Sequence, residues 1–104
     1  MARYDVYPNP SVAERPSTPY LLDLQNDYIS GLATRVVAPL RSKDLFSKPA
    51  RSLNPEFVVQ GQAVVLDTAA LGALPAHLLH QPVESLRAHT ALVTAALDTL
   101  LGGF

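Results

Sequence analysis

Residues 19–40 read PYLLDLQNDYISGLATRVVAPL, and they decide the fold. Residues 20–25 carry Tyr20, Leu21, Leu22 and Leu24, and residues 35–40 carry Val36 and Val37. Aromatic Tyr20 and the β-branched Val36 and Val37 suit a pleated surface, and with the leucines beside Tyr20 both segments predict strands. Between them, Ser30-Gly31 and the polar residues ahead of it predict a connection that turns. The company these strands keep is less usual. An acid, Asp23, sits inside an apolar strand, Gln25-Asn26-Asp27 follows at once, and the second strand ends Val37-Ala38-Pro39-Leu40.

Working outward, residues 3–7 alternate weakly and stop at Pro8, which cannot donate to a ladder. Residues 9–17 hold Pro10, Pro16 and small polar side chains, and predict an exposed loop. Residues 41–52 are polar and basic around Pro49, a second loop with one helical turn near Leu45-Phe46. Residues 57–59 and 63–66 flank Gln60-Gly61-Gln62 and predict a hairpin, with Gly61 supplying the positive φ of a tight turn. Residues 68–79 are ambiguous: Thr68 suits the cap of a short alanine-rich turn that Pro75 ends. From residue 83 to 101, Leu86, Val93, Leu97, Leu100 and Leu101 recur mostly at helical spacing. Pro82 suits the start of that helix and Gly102-Gly103 its end. Strands followed by one C-terminal helix predict an α+β, mostly β domain with a helix laid on the sheet.

At 104 residues the chain predicts one domain, 1–104, with one core. Charged residues are 16% of the total, against about 25% in a typical soluble domain. So sparse a charge suggests surface hidden in a partner, most simply in a homodimer. The net charge of −1 gives no global attraction to phosphates. There is no cysteine, which excludes disulfides, thiolate catalysis and Cys-ligated metal, and fits a cytoplasmic protein. The opening MARYDVYPNP is unlike a secretory signal, and no apolar run nears the roughly 18 residues of a membrane span.

No set of residues reads as an active site. His77-x-x-His80 with Glu84 has the residue types of a zinc site, but Pro82 interrupts the spacing and surface histidines are the better reading. His89 reads as a surface or rim residue of the helix. There is no G-x-S-x-G and no phosphate loop, and Asp23 and Asp27 read as acids that solvate a strand end. Arg35, Arg41, Lys43, Lys48 and Arg51 face only Asp44 in their window, a local positive charge that suits nucleic acid, an acidic partner or plain solvent. No cofactor, metal or catalytic residue is expected.

The order of the 19–40 segment closely resembles the second and third strands of the CcdB family, the toxin halves of bacterial toxin–antitoxin pairs. Asp5-Val6-Tyr7, Leu53-Asn54-Pro55 before the hairpin, Leu74-Pro75 before the helix and the closing Gly103-Phe104 fall in the same family order. The resemblance implies a small SH3-like barrel sheet with a C-terminal helix, shared with the MazF and Kid toxins, and a homodimer. It implies a protein that binds the DNA gyrase A subunit, traps the gyrase–DNA break and is neutralised by a CcdA-like antitoxin. DNA is then met only through the toxin–antitoxin complex, in plasmid maintenance and transcription regulation, and no membrane is involved. The family's partner-binding residues map here onto Asn26, Tyr28 and Ile29 after the second strand, and onto Asp98, Leu101, Gly102, Gly103 and Phe104 at the chain end.

One departure stands out. The best-known members end Trp-Gly-Ile, and their tryptophan stacks on a gyrase arginine, a contact type worth about 0.5–2 kcal/mol. Gly102 occupies that position here, and the chain has no tryptophan. Phe104 on its glycine tail, with Tyr28 nearby, is the candidate replacement; the other reading is that Phe104 packs back onto the core as a helix staple. Two other readings stay open: a MazF-like ribonuclease using Arg35 or the 41–51 loop, and a non-toxic CcdB-like protein that only binds antitoxin.

Overall fold

The computed structural model describes residues 1–29 and 31–102. Among the described residues seven strands precede one α-helix: β1 (Asp5–Pro8), β2 (Tyr20–Asp23), β3 (Thr34–Ser42), β4 (Glu56–Val59), β5 (Gln62–Leu66), β6 (Gly72–Pro75), β7 (Glu84–Ser85) and α1 (Thr90–Leu101). They form one antiparallel sheet in the order β4-β5-β3-β2-β1-β7, with β6 also paired to β3. The sheet curls into a small SH3-like barrel. At its open side Gln60 Nε2, from the hairpin tip, donates to the Val83 carbonyl just before β7 (3.5 Å). The fold is α+β and mostly β, as the sequence predicts.

β3 is the strand around which the rest is arranged. One edge pairs with β2 along Tyr20–Asp23, placing Leu21 opposite Pro39 and Asp23 opposite Val37. The other edge changes partner midway: residues 34–37 pair with β6 and residues 40–42 with β5. Pro39 sits at that change. Its missing N–H falls where neither ladder needs it, and its carbonyl accepts from Asp67 N at 2.9 Å.

Side chains alternate along a strand, so β3 has two faces. Ala38 and Leu40 face inward with Val6, Leu22, Leu24, Phe57, Val59, Val64 and Leu66, and Val93 of α1 closes this main core together with Leu86. The opposite face is also covered. Tyr7, Leu21 and Val37 are buried there under Leu79, with Leu74 against them. Sequence reading anticipates the first core and misses the second, because the cover comes from residues 72–79, where no clear periodicity is present.

Several boundaries differ from expectation: β2 stops at Asp23, β3 runs on to Ser42 into the expected loop, Gly72–Pro75 form a strand, and the helix start and hairpin turn shift. The helix begins at Thr90, not near residue 83. Val83 N donates to Val6 O, and β7 then pairs Glu84 and Ser85 with Val6 and Asp5. An unpaired β1 edge claims these residues for a ladder, and only beyond a 3-10 turn at Arg87–His89 can the helix start. The hairpin turn is two residues, Gln60 and Gly61, both at positive φ (50° and 80°). Both signs fit a type I′ turn, so Gln62 joins β5 instead of the loop.

Candidate partner-binding surface

β2 ends at Asp23, where its apolar alternation runs into polar residues. Leu24 N still reaches Val36 O (2.9 Å), but the main chain then leaves the sheet and closes a 3-10 turn at Asp27–Ile29. Asn26 Oδ1 accepts from Tyr28 N (2.9 Å), a local turn bond of the kind asparagine favours. Gln25, only 4% exposed, accepts from Val36 N through Oε1 (3.1 Å) and donates from Nε2 to the Ile29 carbonyl (2.9 Å). Asp27 Oδ1 accepts from Arg3 N (2.8 Å), and Oδ2 lies 3.9 Å from Arg87 Nη2. Tyr28 emerges from this frame 96% exposed, with Ile29 and Leu32 also open to solvent.

The second group of expected residues lies at the far end of α1. Asp98 is exposed, and Leu101 is 73% exposed. Gly102 ends the helix in the left-handed region (φ 70°), its N–H bonded to the Asp98 carbonyl. Gly103 and Phe104 lie outside the described residues, as does Ser30. Asp27 ties the 26–29 loop to the turn that enters α1. Asp98 and Leu101 stand at the other end of a helix about 18 Å long for its 12 residues. Among the described residues no hydrogen bond or ion pair joins the two groups.

The acid and base of the opening segment form a pair that sequence reading did not foresee. Asp23 and Arg35 are fully buried, at 0% and 1% exposure. Arg35 Nε and Nη2 both donate to Asp23 Oδ2 (2.9 and 2.7 Å), and Gln25 N donates to Oδ1 (3.0 Å). Burial pushes the Asp23 carboxyl up, while the Arg35 guanidinium and the Gln25 N–H pull it back. Arg35 Nη1 meets no acceptor among the described residues. On the same face Tyr7 is pushed up to about 12 by burial and then by the negative charges of Asp5 and Asp23. Asp23 therefore does not solvate a strand end; only Asp27 does. The available signal was alternation: with Leu22 and Leu24 on one face, Asp23 and Arg35 must share the other and meet diagonally.

The basic window is quenched by residues distant in sequence. Arg35 pairs with Asp23, Arg41 with Asp67 (2.9 Å) and Lys43 with Glu56 (3.1 Å). Arg41 also donates to Thr18 Oγ1 (2.7 Å). Of the five, only Lys48 and Arg51 make no ion pair among the described residues. His77, His80 and Glu84 are exposed. No three His, Cys, Asp or Glu side chains gather closely enough to hold a metal ion among the described residues. His89 instead packs its ring on Phe57, with centroids 5.5 Å apart, beside a shallow open groove lined by Glu56, Val58 and Leu92. No helix among the described residues is long and apolar enough to cross a membrane.

A family model described as CcdB protein matches residues 3–103. The chain belongs to the CcdB family. CcdB proteins are toxins of bacterial toxin–antitoxin pairs, and each has an antitoxin as its partner. Searching curated proteins gives no match. Among solved structures, the crystal structure of an Mtb toxin superposes with a TM-score of 0.63 at 16% identity, covering 84% of this chain and 92% of that one. At that identity the likeness is one of fold, and it supports the barrel-and-helix architecture that CcdB membership implies.

Proposed function

We propose that residues 1–104 form one toxin domain of a type II toxin–antitoxin system, acting as a cytoplasmic homodimer. It binds the DNA gyrase A subunit, holds the enzyme on its broken DNA, and is released by a CcdA-like antitoxin. Its role is that of an inhibitor, not a catalyst. The working surface consists of Asn26, Tyr28 and Ile29 together with Asp98, Leu101, Gly102, Gly103 and Phe104. The single observation that carries this reading is the CcdB match along residues 3–103, with Tyr28 held out of the fold at the loop that the family uses. A tyrosine of that exposure does nothing for its own chain, and aromatic anchors are the residues most often found at interface hot spots.

Of the described surface residues, Asn26, Tyr28 and Ile29 belong to the loop tied to the start of α1, and Asp98, Leu101 and Gly102 lie at its end. The ribonuclease alternative loses its main support. Arg35 is sealed against Asp23, and Arg41 and Lys43 already have carboxylate partners.

The test is a gyrase assay with purified protein, relaxed plasmid, ATP and a detergent step that traps covalent protein–DNA breaks. Accumulation of linear DNA is the expected result. Normal supercoiling without linear product overturns gyrase poisoning and moves attention to antitoxin binding alone. Phe104→Ala separates the tail's part: toxicity unchanged in a stable protein removes Phe104 as the replacement ring.

A further inference from the structure

A 3-10 turn of three residues cannot hold itself. Asp27–Ile29 closes one backbone bond, Ile29 N to Asn26 O at 3.1 Å, and short helical turns are marginal without outside support. Here the support is unusually complete. After Leu24 the main chain abandons β3, and the Gln25 side chain takes the next rung in its place. Gln25 Oε1 accepts from Val36 N, while Nε2 reaches across to the Ile29 carbonyl on the far side of the turn. One buried amide thus fastens both the strand and the returning loop. Asp27 fastens the outer side, to Arg3 N and toward Arg87, which itself donates to the Arg3 carbonyl (3.4 Å). Tyr4, next in sequence, sits at φ 75°. That is a strained setting for a bulky residue, beside the anchor that Arg3 N makes.

We propose that Gln25 and Asp27 are positioning residues whose bonds hold the Tyr28 ring ready for a protein partner. This rests on the loop belonging to the working surface proposed above. A loop whose main chain is ordered in advance leaves only the exposed Tyr28 side chain to be ordered when the partner arrives, whereas a mobile one must be ordered throughout at the moment of binding. If only a fraction of molecules carried the ring correctly, the apparent affinity would fall by that fraction. Neither residue needs to touch the partner for this. Gln25 is buried, and the oxygens of Asp27 are directed to Arg3 and Arg87.

Gln25→Met keeps the length and the packing but removes both amide bonds. Asp27→Ala removes the outer anchor, and Asp27→Asn keeps an acceptor for Arg3 N. Backbone ¹⁵N relaxation on the free full-length protein reads the loop directly, and titration with purified gyrase A subunit reads affinity, with Tyr28→Ala as reference. In Gln25→Met the order parameters of residues 26–29 are expected to drop from about 0.85 to below about 0.6. Affinity is expected to weaken about tenfold, the reciprocal of a correctly placed fraction near one in ten. Asp27→Ala follows in the same direction, and Asp27→Asn stays near the parent. A loop that remains rigid in both Gln25→Met and Asp27→Ala overturns the proposal. So does a mobile loop with parental affinity while Tyr28→Ala binds weakly. A Tyr28→Ala protein that binds like the parent instead strikes the loop from the working surface, and the positioning role falls with it. If the parent itself fails to bind gyrase, the fault lies in the target, and the order parameters alone decide whether Gln25 and Asp27 hold the ring.

Discussion

Asp23 and Tyr28 stand five positions apart and are treated in opposite ways. The polar one is sealed inside, clamped by Arg35 on a face of the sheet that Leu79 covers. The amphipathic one is pushed out, with its whole ring in water. A fold selected only for stability would do the reverse. Burying two charges recovers little net energy even when they are well paired, and exposing an aromatic ring forfeits its burial. The difference separates two jobs. Asp23–Arg35 fixes how β2 lies on β3, and the loop that β2 leads into can then be aimed outward from a fixed base.

The comparison breaks most easily at the buried pair. Asp23→Ala leaves Arg35 without its counter-ion, and an orphaned buried charge costs about 3–5 kcal/mol. Urea unfolding should show a loss of that size; a loss under about 1 kcal/mol would mean that water reaches Arg35 and the face is not sealed. Next comes Tyr28. Its removal should leave the unfolding midpoint nearly unchanged, within about 0.5 kcal/mol, while partner affinity falls by roughly 2–4 kcal/mol if the ring is a hot spot. Equal losses in stability and affinity would erase the contrast with Asp23. The smallest effect concerns Tyr7, on the sealed face. Its phenol is raised from 10.0 to about 12 in the fold, so the unfolded chain ionises first. Stability from this group is full below about pH 10 and is lost as pH rises toward 12, by about 1–2 kcal/mol once screening is allowed for. Tyr7→Phe should flatten that alkaline limb; an unchanged limb would assign it to another group.

Much of this molecule was legible in advance. The two strands of the 19–40 segment (though β2 stops at Asp23 and β3 runs Thr34–Ser42), the hairpin around Gly61 and the helix stop at Gly102 follow from local chemistry that nothing distant overrides. What stayed hidden depended on partners far away in sequence. The basic run at residues 35–51 looks unopposed until the sheet brings in Asp23, Glu56 and Asp67. Residues 83–86 look helical until β1 offers an unpaired edge. For the proposed surface, family order points to the 26–29 loop, but nothing in the sequence shows that Gln25 is buried and bonded on both sides. Those bonds need Val36 N and Ile29 O to lie on either side of one amide, which only the folded register supplies.

Gly102 has a bearing on how such a chain can change over generations. At φ 70°, with open space where a Cβ would stand, it ends the helix in a conformation that side chains resist by about 1–2 kcal/mol. A tryptophan at this position, as in the family's best-known members, would therefore carry that backbone cost with the helix end left as it is. A ring at 102 would favour another turn of helix or a different exit from it.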